Sequence, residues 1–134
     1  MNVLFLQTEI ESSSDFFEVY AENCPGVYGA GETVEDARKN VLEGLRLYIE
    51  QNKDNLPEIL KGDYEIEFKY DVQSFLKRYS KHLSLSGLEI VTGINQKQLS
   101  HYVTGLKNPR KNTVRKIEKS IHDFAKDLSE VNFI

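Results

Sequence analysis

Apolar residues gather into short runs early in the chain and into spaced stripes later. Residues 3–10 are largely apolar, and 16–21 mix Phe, Val and Tyr with Glu18, so both stretches read as strands. The polar turn of Ser12, Ser13, Ser14 and Asp15 between them predicts an antiparallel pair. Asn23, Cys24, Pro25 and Gly26 form a second turn, with a short strand expected at 27–30 beside Gly29 and Gly31. A helix opens at Thr33 or Glu32. Thr33 stands three residues before Asp36 at cap spacing, and the acids Glu35 and Asp36 suit a helix N-terminus. Val34, Ala37, Val41, Leu45, Tyr48 and Ile49 then recur every three or four residues, a stripe fit to cover a sheet. After turns at 52–57 and 61–63, residues 64–70 alternate with period two, placing Tyr64, Ile66, Phe68 and Tyr70 on one face of a further strand.

From Asp71 onward the pattern is helical. Asp71 caps a helix reaching Tyr79 or His82, with Val72, Phe75, Leu76 and Tyr79 as its apolar side. Ser84 caps a short helix that ends at Thr92 and Gly93, and Ile94 plugs the turn from its hydrophobic side. Asn95 caps the next helix, 96–103, which Thr104 and Gly105 terminate. Residues 106–110 are a turn, and Asn112 or Thr113 opens a long last helix with Val114, Ile117, Ile121, Phe124 and Leu128 inward. Two short helices around a glycine turn, within a helical bundle, make a helix-turn-helix. The expected fold class is α+β: a small antiparallel sheet with one long helix over residues 1–70, joined to an all-α helix-turn-helix bundle over 71–134.

Charge sharpens this division. Residues 1–70 hold fifteen Asp or Glu against six Lys or Arg, whereas 71–134 hold six against eleven; the net of −4 conceals an acidic half and a basic half. Between 95 and 119 there are seven Lys or Arg and one acid, Glu118. A basic block suits a polyanion, and an acidic half suits a basic protein. The opening residues turn polar too soon for a signal peptide or membrane anchor, so a cytoplasmic location is expected. Cys24, the lone cysteine, reads as a small buried apolar group.

Catalytic chemistry is poorly supported. Gly26, Gly29 and Gly31 do not make a phosphate-binding loop, no histidine occurs in residues 1–70, and no Cys/His cluster has metal-ligand spacing. No catalytic, metal or cofactor residues are therefore assigned, and the chain is not expected to be an enzyme. Glu9, Glu11, Asp15, Glu18 and Glu22 have the spacing of exposed strand positions. The helix at 96–103 carries more information. Leu99, Tyr102 and Val103 point inward, leaving Gln96, Lys97, Gln98, Ser100 and His101 as a polar outer surface. Gln pairs with adenine edges and Lys with guanine edges or phosphate, so these five are the candidate base readers; for His101 a surface position without a role is an equal alternative. Asn95, Lys107, Arg110 and Lys111 are the candidate phosphate contacts. A helical module that binds protein through the same exposed helix is the competing reading of this half.

The tract Gly93-Ile94-Asn95-Gln96-Lys97-Gln98-Leu99-Ser100-His101-Tyr102, with Gly105-Leu106-Lys107-Asn108-Pro109 after it, resembles the helix-turn-helix of the lambda-repressor class. Residues 16–49 resemble the HicB antitoxin domain through the Pro25-Gly26 turn, Gly31-x-Thr33, and Glu35-Asp36-Ala37 leading into a long helix. Together they cover nearly the whole chain in the order of HicB-like antitoxins. Asn23-Cys24 stands where that family has Asp-Leu. Glu89 stands where repressors have a small Ala, and Gly87 weakens the same helix. The resemblance implies a partial ribonuclease-H-like sheet without working carboxylates. It implies a small basic HicA-like toxin, an mRNA-cleaving ribonuclease, as protein partner, and repression of the shared operon through operator DNA. It also implies a homodimer or higher homo-oligomer. Glu9, Glu11, Glu18 and Glu22 are the candidate toxin contacts, and apolar residues at 16–19 or at the ends of the last helix are candidates for self-association. The alternative is a stand-alone helix-turn-helix transcription regulator whose first half dimerises or senses a ligand.

Overall fold

The computed structural model describes residues 1–10 and 16–134. The expected turn at Ser12–Asp15, and with it Glu11, lies outside the described residues. By contacts the chain divides into two compact units, Met1–Arg78 and Tyr79–Ile134.

The first unit is a four-stranded sheet with one long helix. Strands β1 (Asn2–Ile10), β2 (Phe17–Ala21) and β3 (Tyr28–Gly31) form an antiparallel meander. Helix α1 (Val34–Gln51) follows, then a 3-10 turn at Glu58–Leu60, and β4 (Tyr64–Tyr70) adds beside β1, giving the order β3-β2-β1-β4. β4 runs parallel to β1, with Leu4 opposite Ile66 and Leu6 opposite Phe68. The sheet is therefore mixed, which corrects the expectation of an antiparallel one. A hairpin reverses the chain, but a helix-length crossover returns it to its starting end, so the next strand pairs in parallel. Alternation within β4 reports which residues share a face and is silent on direction.

The core lies between α1 and one face of the sheet. Leu4, Leu6, Val19 and Ala21 meet Val34, Ala37, Val41 and Leu45, four members of the predicted stripe, while Tyr48 and Ile49 pack at its margin. Thr33 caps α1 as expected, its hydroxyl accepting from the Asp36 N–H at 3.0 Å. The glycines of β3 set the closeness of this packing. A Cβ on Gly29 would lie 2.2 Å from the Val41 backbone N, and one on Gly31 would lie 2.7 Å from that of Ala37. α1 therefore rests directly on the β3 backbone. Cys24 is buried in the same core at 1% exposure. Burial pushes its thiol pKa up, partly offset by a hydrogen bond with Tyr48.

Helix α2 (Val72–Tyr79) belongs to the first unit for all but its last residue. The Asp71 N–H donates to the Thr8 carbonyl at 3.1 Å, and Asp71 Oδ1 accepts from the Ser74 N–H at 2.8 Å, starting the helix at the end of the sheet. At its other end Arg78 pairs with Glu35 at 2.8 Å and donates to the Tyr70 hydroxyl, which also accepts from Arg38. These ties move the contact boundary past residue 71, where the charge changes sign.

The second unit holds α3 (Leu85–Thr92), α4 (Gln96–Thr104) and α5 (Lys111–Ser129) around Leu88, Ile94, Leu99, Tyr102 and Ile117. No helix among the described residues is long and apolar enough to cross a membrane.

Candidate nucleic-acid interface and acidic sheet face

The turn between α3 and α4 follows from four consecutive residues. Gly93 ends α3 in the left-handed region at φ 72°, where a side chain would be strained, and its N–H donates to the Glu89 carbonyl at 2.8 Å. Thr92 is buried, its hydroxyl donating to the Leu88 carbonyl at 2.7 Å and accepting from the Ile94 N–H at 3.1 Å. Ile94 is buried beside it, and Asn95 caps α4 by accepting from the Lys97 N–H at 2.7 Å. Asn95, named above as a phosphate contact, thus has its side-chain oxygen engaged in the cap.

Glu89 explains the departure from a small residue in α3. Its Oε1 accepts from the Gln96 N–H at 3.0 Å, seven residues on. Asn95 and Glu89 together satisfy two of the backbone donors at the start of α4 and tie it to α3 across the turn. This second cap is not visible in local spacing, because it crosses the turn.

Leu99 and Tyr102 are buried, and Gln96 and Lys97 are exposed. Ser100 and His101 are half-buried on the same side, and the His101 Nδ1 is buried with no hydrogen-bond partner among the described residues. Gln98 differs from the rest of the set. Its Nε2 donates to the Tyr102 hydroxyl at 2.9 Å, so part of its amide is held against its own helix. Of the five candidate base readers, Gln96 and Lys97 are the exposed ones.

Lys107, Arg110 and Lys111 are all exposed and lie between α4 and the start of α5. The first turn of α5 has no acidic residue, and Arg110 at its cap position makes no side-chain cap bond. Cations at a positive helix end oppose the macrodipole and lower stability. A helix start without a side-chain cap bond from its cap residue, with the exposed Arg110, Lys111 and Arg115 around it, is suited to phosphate oxygens.

The sheet face opposite α1 is acidic. Glu9 and Glu18 stand directly across from each other on β1 and β2. Glu65 and Glu67, opposite Val3 and Phe5, extend the same face onto β4. Glu9 accepts from Gln7 at 2.8 Å and from the Tyr20 hydroxyl at 3.0 Å, and Glu18 accepts from the Tyr28 hydroxyl at 3.4 Å. Burial, the Glu9 hydrogen bond and the charges of Glu9, Glu22 and Asp71 push the Tyr20 pKa up. Glu22 pairs with Lys69 at 3.6 Å, and the Lys69 ammonium lies over the Phe5 ring at 4.2 Å. Glu65 and Glu67 were absent from the candidates, although the alternation that gathers Tyr64, Phe68 and Tyr70 gathers these acids on the other face. Like charges opposite each other cost sheet stability. Among the described residues no group of three or more His, Cys, Asp or Glu side chains is placed to hold a metal ion.

Comparison with protein-family models, with curated proteins and with solved structures finds no match to this chain.

Proposed function

We propose that this chain is an antitoxin of the HicA–HicB kind, which neutralises a small basic mRNA-cleaving toxin through its first unit and represses its own operon through its second. The observation that carries the reading is the second unit's arrangement of a glycine turn, a doubly capped α4 with Gln96 and Lys97 outward, and a basic, uncapped start to α5. A protein-binding helix has little use for a cation-lined helix start without an acidic cap, whereas a duplex presents phosphates beside a readable groove. The first unit supports the partner half of the reading. Its β3-β2-β1-β4 order with a parallel β4 suits a partial ribonuclease-H-like sheet, and its open face gathers carboxylates toward a basic protein. The stand-alone regulator remains the alternative, and a small basic reading frame beside this one distinguishes the two.

The test uses the full chain on the DNA upstream of its own reading frame and on random duplex. Gln96→Ala is expected to narrow the preference for the operator by about 1–3 kcal/mol if the contact is bidentate. Lys111→Ala should weaken both DNAs alike and reduce the salt slope by about one. Unchanged preference in Gln96→Ala, with helicity intact, refutes α4 as the reading helix. For the first unit, Glu9→Gln with Glu18→Gln should weaken capture of the neighbouring toxin without altering DNA binding.

A further inference from the structure

The two edges of the sheet differ in how they meet water. β3 is four residues long, and its glycines lie against the backbone of α1. β4 is seven residues long, keeps an unbroken register with β1 from Tyr64 to Tyr70, contains no proline, and among the described residues pairs with β1 alone. Alternate backbone N–H and C=O groups along its outer side therefore meet no strand, a condition that edge strands usually escape by being short, bulged or proline-bearing. The two rows of side chains on β4 are unlike. Glu65 and Glu67 stand exposed on the face away from α1, and neither makes an ion pair or hydrogen bond among the described residues. On the α1 side Ile66 is 37% exposed beside the partly buried Tyr64 and Phe68, and the Arg38 guanidinium lies 4.1 Å over the Phe68 ring.

We infer that the outer edge of β4 takes an extended segment of a basic protein as a fifth strand, with Lys or Arg set against Glu65 and Glu67 and apolar residues beside Ile66. The inference rests on the reading of the first unit as the holder of a basic partner, and it names where and how that partner is held. Charge fixes which face the added strand presents. Neighbouring strands lie roughly 4.8 Å apart, so side chains directly across from Glu65 and Glu67 come within reach of an ion pair. On the other face Arg38 repels a cation, while Ile66 and the ring of Phe68 offer apolar surface to cover. A segment that alternates basic and apolar residues satisfies both faces at once. A slip of one residue would turn its cations toward Arg38 and its apolar groups toward the carboxylates, so the register is specified. Main-chain bonds to the open edge hold the segment, and alternate side chains select it.

The test titrates the full chain, labelled with nitrogen-15, with the probe acetyl-Lys-Val-Lys-Val-Lys-Val-Lys-amide, so no toxin is needed. The amides of residues 64–70 are expected to shift and to exchange more slowly with solvent, and the affinity to fall as salt is added. Glu65→Lys with Glu67→Lys, at exposed positions and with amide dispersion as the check on folding, should weaken binding by about tenfold or more. Glu9→Gln with Glu18→Gln, which leaves the edge intact, should change it little. Two further probes, N-methylated at the valines or at the lysines, keep every charge but block opposite edges of the added strand, and one of them should fail to bind. No binding, shifts centred on Glu9 and Glu18, or binding indifferent to Glu65→Lys with Glu67→Lys or to both methylations overturns the proposal. So do shifts in β4 that follow protein concentration without probe, which would give the edge to a second copy. Capture of the neighbouring toxin despite such a result would leave the antitoxin reading in place. Probe binding without toxin capture would leave the edge standing and count against that reading.

Discussion

Glu89 shows how one side chain can serve a neighbouring helix. A small residue in its place would leave the Gln96 N–H to water, whereas the carboxylate caps α4 from across the turn. Glu89→Ala is expected to lower the stability of the second unit by about 0.5–2 kcal/mol, the usual cost of a lost helix cap. Glu89→Gln, which keeps an acceptor, should lose less; urea unfolding of the two variants measures the difference. At this scale the sequence was legible where a role depends on near neighbours. Thr33, Ser84 and Asn95 announce their caps within three residues, and each makes the expected bond. Glu89 and Gln98 were not legible. Their partners are chosen by packing, which brings together residues across a turn or down a helix in ways that residue type alone leaves open.

Among the elements, the helices and strands were legible from periodicity, and what failed was their direction and edges. The stripe of α1 predicted its buried face because a helix over a sheet exposes only its other sides to water. The parallel course of β4 escaped because period-two alternation is identical in both directions. α5 begins at Lys111, ahead of Asn112 and Thr113, because Arg110 after Pro109 takes the extended geometry of a cap residue at φ −72° and ψ 161°. That geometry yields a prediction with two opposite signs. Arg110→Asp supplies the missing cap and an acid at the positive helix end, and should stabilise the second unit by about 0.5–2 kcal/mol. On the proposed function, the same change should weaken binding to every duplex and reduce the salt slope, since it replaces a candidate phosphate contact by an acid that repels phosphate. Thermal unfolding and salt-dependent titrations on one variant read both effects. A protein that gains stability and keeps its DNA affinity would show that Arg110 faces no phosphate.

Across the whole molecule, the division into an acidic and a basic half was legible from composition, while the contact boundary was not, because Asp71 and Arg78 fasten α2 to the sheet. The sheet's topology also sets an order in time. β1, made before the other three strands of the sheet, lies between β2 and β4, and its β4 edge stays bare until residues 64–70 exist. Pairing Asn2 with Tyr64 closes a long loop, the kind of contact that folds late. A chain ending at residue 63 should therefore remain unfolded or aggregate, while one ending at residue 78 should give dispersed amide resonances. During synthesis the acidic unit can close once Arg78 has emerged, while α4 is still inside the ribosome. On the proposed function, a nascent chain would then be equipped to capture a basic partner before it can occupy DNA, and translation itself would rank neutralisation ahead of repression.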